Sequence, residues 1–152
     1  MPHFEKILFP VALTDISPVV APYVTTMVNR FAADLHLLHV LRRFDWFVDT
    51  YVSQPSETDF KSIASDFEGQ LLARADQTLE AFKKKHLKGL PVTRSSVVTG
   101  THYKEILQYV ADEGIDLIIM GSGSPLQKAV FGSVADKVCK LSPVTVMLIK
   151  SN

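Results

Sequence analysis

Residues 118–138, IIMGSGSPLQKAVFGSVADKV, carry the reading of the fold. An apolar run ends at Gly121, small and polar residues follow, and Gly132-Ser133 opens a helix. A run of strand length passing through a glycine-bearing connection into a helix is half of a βαβ unit, the building block of a parallel sheet. The same stretch poses the functional question. Backbone brought close by glycines ahead of a helix N-terminus can hold a phosphate, or it can simply turn a corner.

The alternation continues outward. KILFPV near the start is a short buried strand, LHLLHVL (35–41) a second, and VTRSSVV (92–98) a third, more polar and so nearer a sheet edge. IDLIIM (115–120) is apolar enough to be central, and VTVMLIK (144–150) is a fifth strand. Ser17-Pro18 supplies a capping hydroxyl and a proline at the first helical position. Val20, Tyr23, Val24, Met27, Val28 and Phe31 then make one apolar face. Ser56 with Asp59 resembles a capping box before a long helix with the stripe Phe60, Ile63, Phe67, Leu71, Ala75, Leu79 and Phe82. Gly69 is placed to kink that helix, and Thr101–Asp112 and Ser133–Lys140 are the remaining two.

This order predicts an α/β fold, a Rossmann-like doubly wound sheet of five parallel strands with helices on both faces, in a single domain over residues 1–152. Ligands of such sheets bind beyond the carboxyl ends of the strands, where the strand order reverses. The connections 12–16, 42–56, 99–102 and 121–132 are therefore the candidate site. RRFDWFVDTYVSQPSE (42–57) is long for its place and rich in aromatics, which suits a lid, a contact surface or a flap packing its own rings.

Composition narrows the function. Sixteen basic and sixteen acidic residues cancel, which leaves no general attraction to nucleic acid or an anionic membrane. A single cysteine, Cys139, cannot form an internal disulfide or a Cys-rich metal site, and it suits a reducing compartment. No apolar run approaches the roughly 18 residues that span a bilayer, and ILFPVAL is too short for a secretory signal. A cytoplasmic protein with neither a nucleic-acid nor a membrane partner is expected.

KILFPV, LHLLHV, VVTGTHYKEIL and DLIIMGSGS…FGSVADKV…PVTVMLIK, in this order, resemble the universal stress protein family over nearly the whole chain. The resemblance implies a homodimer paired through the C-terminal strand 144–150 and a cytoplasmic stress-response role. It implies ATP as ligand in one branch of the family and none in another. The ATP-binding branch carries G-x2-G-x9-G-[ST] after the fourth strand, whereas this chain has G-x-G-x8-G-S, two residues shorter. The positions that match the nucleotide site are Ala12, Val40, Gly100, Gly121, Gly123, Gly132, Ser133 and Val134. Ala12 stands where ATP binders usually carry an aspartate that contacts base and ribose, and Asp15 lies three residues on. Val40 matches a position whose backbone meets the adenine, and Gly100 one beside adenine and ribose. The ligand so implied is ATP with Mg, with ADP or AMP as shorter alternatives for a shorter loop.

Other readings stand beside these. Ser133-x-x-Asp136 is also a capping box, useful with no ligand. GSGSPL is no dinucleotide fingerprint, because Leu126 occupies the third glycine position, and Lys128 follows no Walker frame. His36 and His39 point to opposite faces of one strand and cannot share a metal there. His102 lies on a site loop and reads first as a surface or supporting group. Cys139 reads as a small buried residue. With no nucleophile elbow, paired site carboxylates or metal cluster, the pattern favours a binding or signalling module, with a slow ATPase the remaining enzymatic alternative.

Overall fold

The computed structural model describes residues 2–13, 16–42, 58–123 and 132–150, and of 58–64 the helical backbone only. Asp15, Lys128, the Ser56–Asp59 box, the stripe positions Phe60 and Ile63, and the 43–57 connection lie outside this description. The elements run β1 (Lys6–Pro10), α1 (Ile16–Phe31), β2 (Asp34–Leu41), α2 (Thr58–His86), β3 (Val92–Thr99), α3 (His102–Glu113), β4 (Leu117–Gly121), α4 (Ser133–Leu141) and β5 (Thr145–Ile149). All pairings are parallel, in the order β3-β2-β1-β4-β5. The expected α/β Rossmann-like sheet is thus present, with polar β3 at one edge and β5 at the other.

Strand parity builds the two layers. Ile7, Phe9, Leu35, Leu37, Leu117 and Ile119 face one way, packing against Val20, Val24 and Val28 of α1 and Leu79 and Phe82 of α2. Leu8, Leu38, Val40, Ile118 and Met120 face the other, against Ile106 and Val110 of α3 and Ala135 and Val138 of α4. A strand buried on both faces must be apolar at successive positions, which is why β1, β2 and β4 read as continuous runs. Each fully buried aliphatic side chain contributes about 1.5–3 kcal/mol relative to exposure.

Details differ from expectation where the partner is distant in sequence. Tyr23, placed on the apolar face of α1, is 51 % exposed, because the buried stripe is Val20, Val24 and Val28. Ser17 does not cap: α1 already begins at Ile16, and the buried Ser17 hydroxyl accepts the Ala12 N–H at 3.1 Å. Cys139 is exposed, since Val138 takes the inward position and its neighbour must turn out.

Candidate functional site

Reading outward from β1, the strand order runs to β2 on one side and jumps to β4 on the other. The helices after those strands leave to opposite faces, so the carboxyl ends of β1 and β4 part and open a crevice. A cavity of about 280 Å³ lies there. Its floor is Phe9, Val11, Leu38, Ile106 and Met120, all buried hydrophobic residues of the two layers. Its rim is Ala12, Ser17, His102, Gly121, Gly123 and the start of α4.

Seven of the eight residues singled out from the sequence line this one cavity: Ala12, Val40, Gly121, Gly123, Gly132, Ser133 and Val134. Gly100 does not. It is buried beside the cavity, and the Glu105 side chain folds over it so closely that a Cβ there would collide. Its N–H is bonded to the Leu41 carbonyl at 2.8 Å, so it ties β3 to β2.

Gly121 is required by packing. A Cβ there would run into the Ile16 side chain, which lets the first turn of α1 sit directly on the end of β4. Gly132 is different. Its φ of −67° and ψ of 163° suit any residue, so the backbone does not demand glycine. Gly132, not Ser133, is the N-cap of α4, and among the described residues no side chain caps this helix. Asp136, expected to close a capping box, pairs instead with Lys140 at 3.0 Å. The first helical bond runs from the Asp136 N–H to the Gly132 carbonyl. The N–H groups of Ser133, Val134 and Ala135 therefore stand outside the helix ladder at the cavity, where the dipole also favours negative charge. The Gly132 N–H donates to the Ser122 carbonyl at 2.6 Å, and the Ser122 N–H to the Ile149 carbonyl at 2.9 Å, which anchors both ends of the glycine connection to the sheet.

His102 proves to be part of the lining. Burial pushes its imidazole pKa down, the charges of Arg42 and His39 push the same way, and an interaction with the Val40 backbone opposes them. A neutral imidazole at neutral pH follows. His39 is on the opposite face of β2 from His36, as strand geometry requires, and its Nδ1 lies 2.6 Å from the Val11 carbonyl. That carbonyl only accepts, so Nδ1 carries the proton. Among the described residues, no group of three His, Cys, Asp or Glu side chains is placed to hold a metal ion, and no helix is long and apolar enough to cross a membrane.

The sequence profile of the Universal stress protein family matches residues 3–150. The Universal stress protein MJ0577 of Methanocaldococcus jannaschii is 25% identical, covering 97% of this chain and 95% of its own length. YxiE of Bacillus subtilis is 25% identical over 97% of this chain and 99% of its own. The solved structure of MJ0577 superposes with a TM-score of 0.81 over 99% of both chains. A universal stress protein solved in complex with cAMP shares the fold, with a TM-score of 0.61 at 14% identity over 99% of this chain and 100% of its own.

Proposed function

This chain belongs to the universal stress protein family, and on that premise we propose that it is a nucleotide-binding stress-response module that holds ATP, with Mg accompanying the phosphates. One observation carries the reading: the cavity at the strand-order reversal joins an apolar floor, suited to a base, with the unladdered N–H groups of α4, suited to a phosphate. The cAMP complex speaks for what this fold accommodates, and the reading for this chain rests on its own residues. The ligand acts by changing contacts with partners rather than by reacting. No lysine, aspartate or glutamate among the described residues lines the cavity, so no catalytic residue is assigned. ADP and AMP are the shorter alternatives. The site belongs to one cytoplasmic domain over 1–152.

Calorimetric titration of nucleotide-stripped protein with Mg-ATP tests this. Saturable heat with a micromolar dissociation constant, lost in Gly132→Glu, is expected. No heat at hundreds of micromolar would sink the reading. It would favour a family member acting through protein contacts alone, which Ala12 and the shortened glycine connection already suggest.

The proposed partner is a second copy, paired through residues 144–150. Strand β5 lies at the sheet edge, where an uncovered apolar strand invites pairing. Sedimentation at tens of micromolar is expected to give twice the 16.9 kDa chain mass. A monomer there removes the dimer.

A further inference from the structure

Among the described residues, three polar side chains line the cavity: Ser17, His102 and Ser133. They stand at different places. Ser133 opens α4, and the adjoining Gly132 N–H is held by the Ser122 carbonyl just past β4. Ser17 lies on α1 at the end of β1, with its hydroxyl accepting the Ala12 N–H. His102 is the first residue of α3, the helix that packs on Leu38 and Val40 of β2 through Ile106 and Val110. With β1 between β2 and β4, the His102 end and the α4 end lie about two strand spacings apart, roughly 9.5 Å. An anion at the α4 N-terminus puts the flat base of a nucleotide over the β2 end, against Leu38, Val40 and Ile106. His102 is the polar side chain that stands there.

What His102 offers the base follows from the ladder beneath it. On β2, the Leu38 carbonyl accepts the Val11 N–H on the β1 side, and the Leu41 carbonyl accepts the Gly100 N–H on the β3 side. Carbonyl directions alternate along a strand, so the Val40 carbonyl points with that of Leu38, beyond the end of β1 and into the crevice. The His102 ring meets it there. The Val40 backbone favours the protonated imidazole, as a carbonyl does and an N–H does not. A carbonyl only accepts, so the ring nitrogen on Val40 carries the hydrogen. In the neutral imidazole the other nitrogen is then an acceptor. Burial, with the charges of Arg42 and His39, holds the ring in that neutral form.

We propose that His102 reads the nucleobase, its unprotonated ring nitrogen accepting a hydrogen bond from the exocyclic amino group of a 6-aminopurine. The proposal rests on the nucleotide reading above and goes further, to the residue that selects the base. A 6-oxopurine turns a carbonyl oxygen to the same place, lone pair against lone pair, and is disfavoured. A purine with no substituent at carbon 6 leaves the imidazole nitrogen without its donor. Selection of adenine is thus a property of one side chain at the start of α3, and phosphate binding is a property of the start of α4.

The test is a set of calorimetric titrations of the full chain with the Mg complexes of ATP, purine riboside triphosphate and ITP, which differ only at carbon 6 and its neighbouring ring nitrogen. ATP is expected to bind about tenfold tighter than either analogue, the effect of one hydrogen bond lost with its acceptor left unpaired. In His102→Ala the three dissociation constants are expected to fall within about threefold of one another. His102→Gln, whose amide turns to present either its oxygen or its nitrogen, is expected to take ATP and ITP alike. Three equal affinities in the unaltered chain overturn the proposal. A preference for ATP that survives in both variants overturns it too, and gives the base to another group. Should His102→Ala bind none of the three, His102→Gln alone decides: equal ATP and ITP affinities uphold the role, and a retained tenfold preference ends it. If the unaltered chain binds no nucleotide at all, the nucleotide reading itself falls, an outcome distinct from binding without base preference.

Discussion

Nδ1 of His36 on β2 lies 2.7 Å from the hydroxyl of Tyr109 on α3, and this pair ties the sheet to the helix that covers it. Arg94 of β3 lies over the Tyr109 ring at 6.0 Å and pairs with Glu113, so three elements meet at one phenol. His36 is only 5% exposed. Burial lowers its pKa, with Lys6 and Arg94 acting the same way and Glu113 and Asp34 opposing.

The sign of the pH dependence follows. As pH falls, the unfolded chain protonates His36 first, near the ordinary value of about 6.5, while the folded protein resists until lower pH. The stability this group contributes is present above that value and is lost as pH drops towards the folded pKa. His102 is shifted in the same direction and adds to the effect. Urea midpoints are expected to fall as the pH is lowered from neutral into the acid side of that window, and His36→Gln is expected to flatten part of the slope. A flat wild-type profile would contradict the burial argument.

Tyr109→Phe keeps the ring under Arg94 and removes only the hydroxyl. The buried His36 nitrogen is then left without its partner, which is expected to cost about 1–3 kcal/mol in urea unfolding. A loss below that range would mean that another group or water takes over.

Gly121→Ala is expected to destabilise the fold by about 1–3 kcal/mol, because its methyl runs into Ile16. Ile16→Ala, which removes the Cγ1 that the methyl would meet, should relieve part of this, and a double-mutant cycle measures the coupling. Additive effects would show that the two positions relax independently.

Cys139 is exposed, yet partial burial of its sulfur and the charge of Asp136 push its thiol pKa up. The thiolate is the reactive form, so alkylation at neutral pH is expected to be slower than for a free cysteine, and faster in Asp136→Asn. Equal iodoacetamide rates for the two proteins would remove Asp136 as a cause.

Much of the architecture was legible because it is periodic. Doubly buried strands need unbroken apolar runs, and helices over a sheet need an apolar stripe, so β1, β2, β4 and the Val20–Val24–Val28 face announce themselves. The polarity of VTRSSVV marked β3 as an edge for the same reason. The candidate cavity was partly legible through its glycines. Gly121 is where the chain must pass under Ile16, and Gly132 opens α4. What misled was local grammar. Ser17 and Ser133 stand where capping residues belong, but Ser17 serves Ala12 and α4 starts from Gly132. Tyr23 and Cys139 suit an interior by type and face outward by phase.

The sequence by itself determined the order of elements and the parallel sheet, and pointed to four connections at the carboxyl ends of the strands as the candidate site. These follow from hydrophobic period and chain order, which act over a few residues at a time. Only the tertiary structure decided that His102 lines the cavity, that Glu105 closes over Gly100, and that the Ala12 N–H is already taken. Each of those depends on which side chain reaches an unsatisfied group or an open space first. Neighbours along the chain do not specify that competition, because it is settled when the sheet and its helices pack.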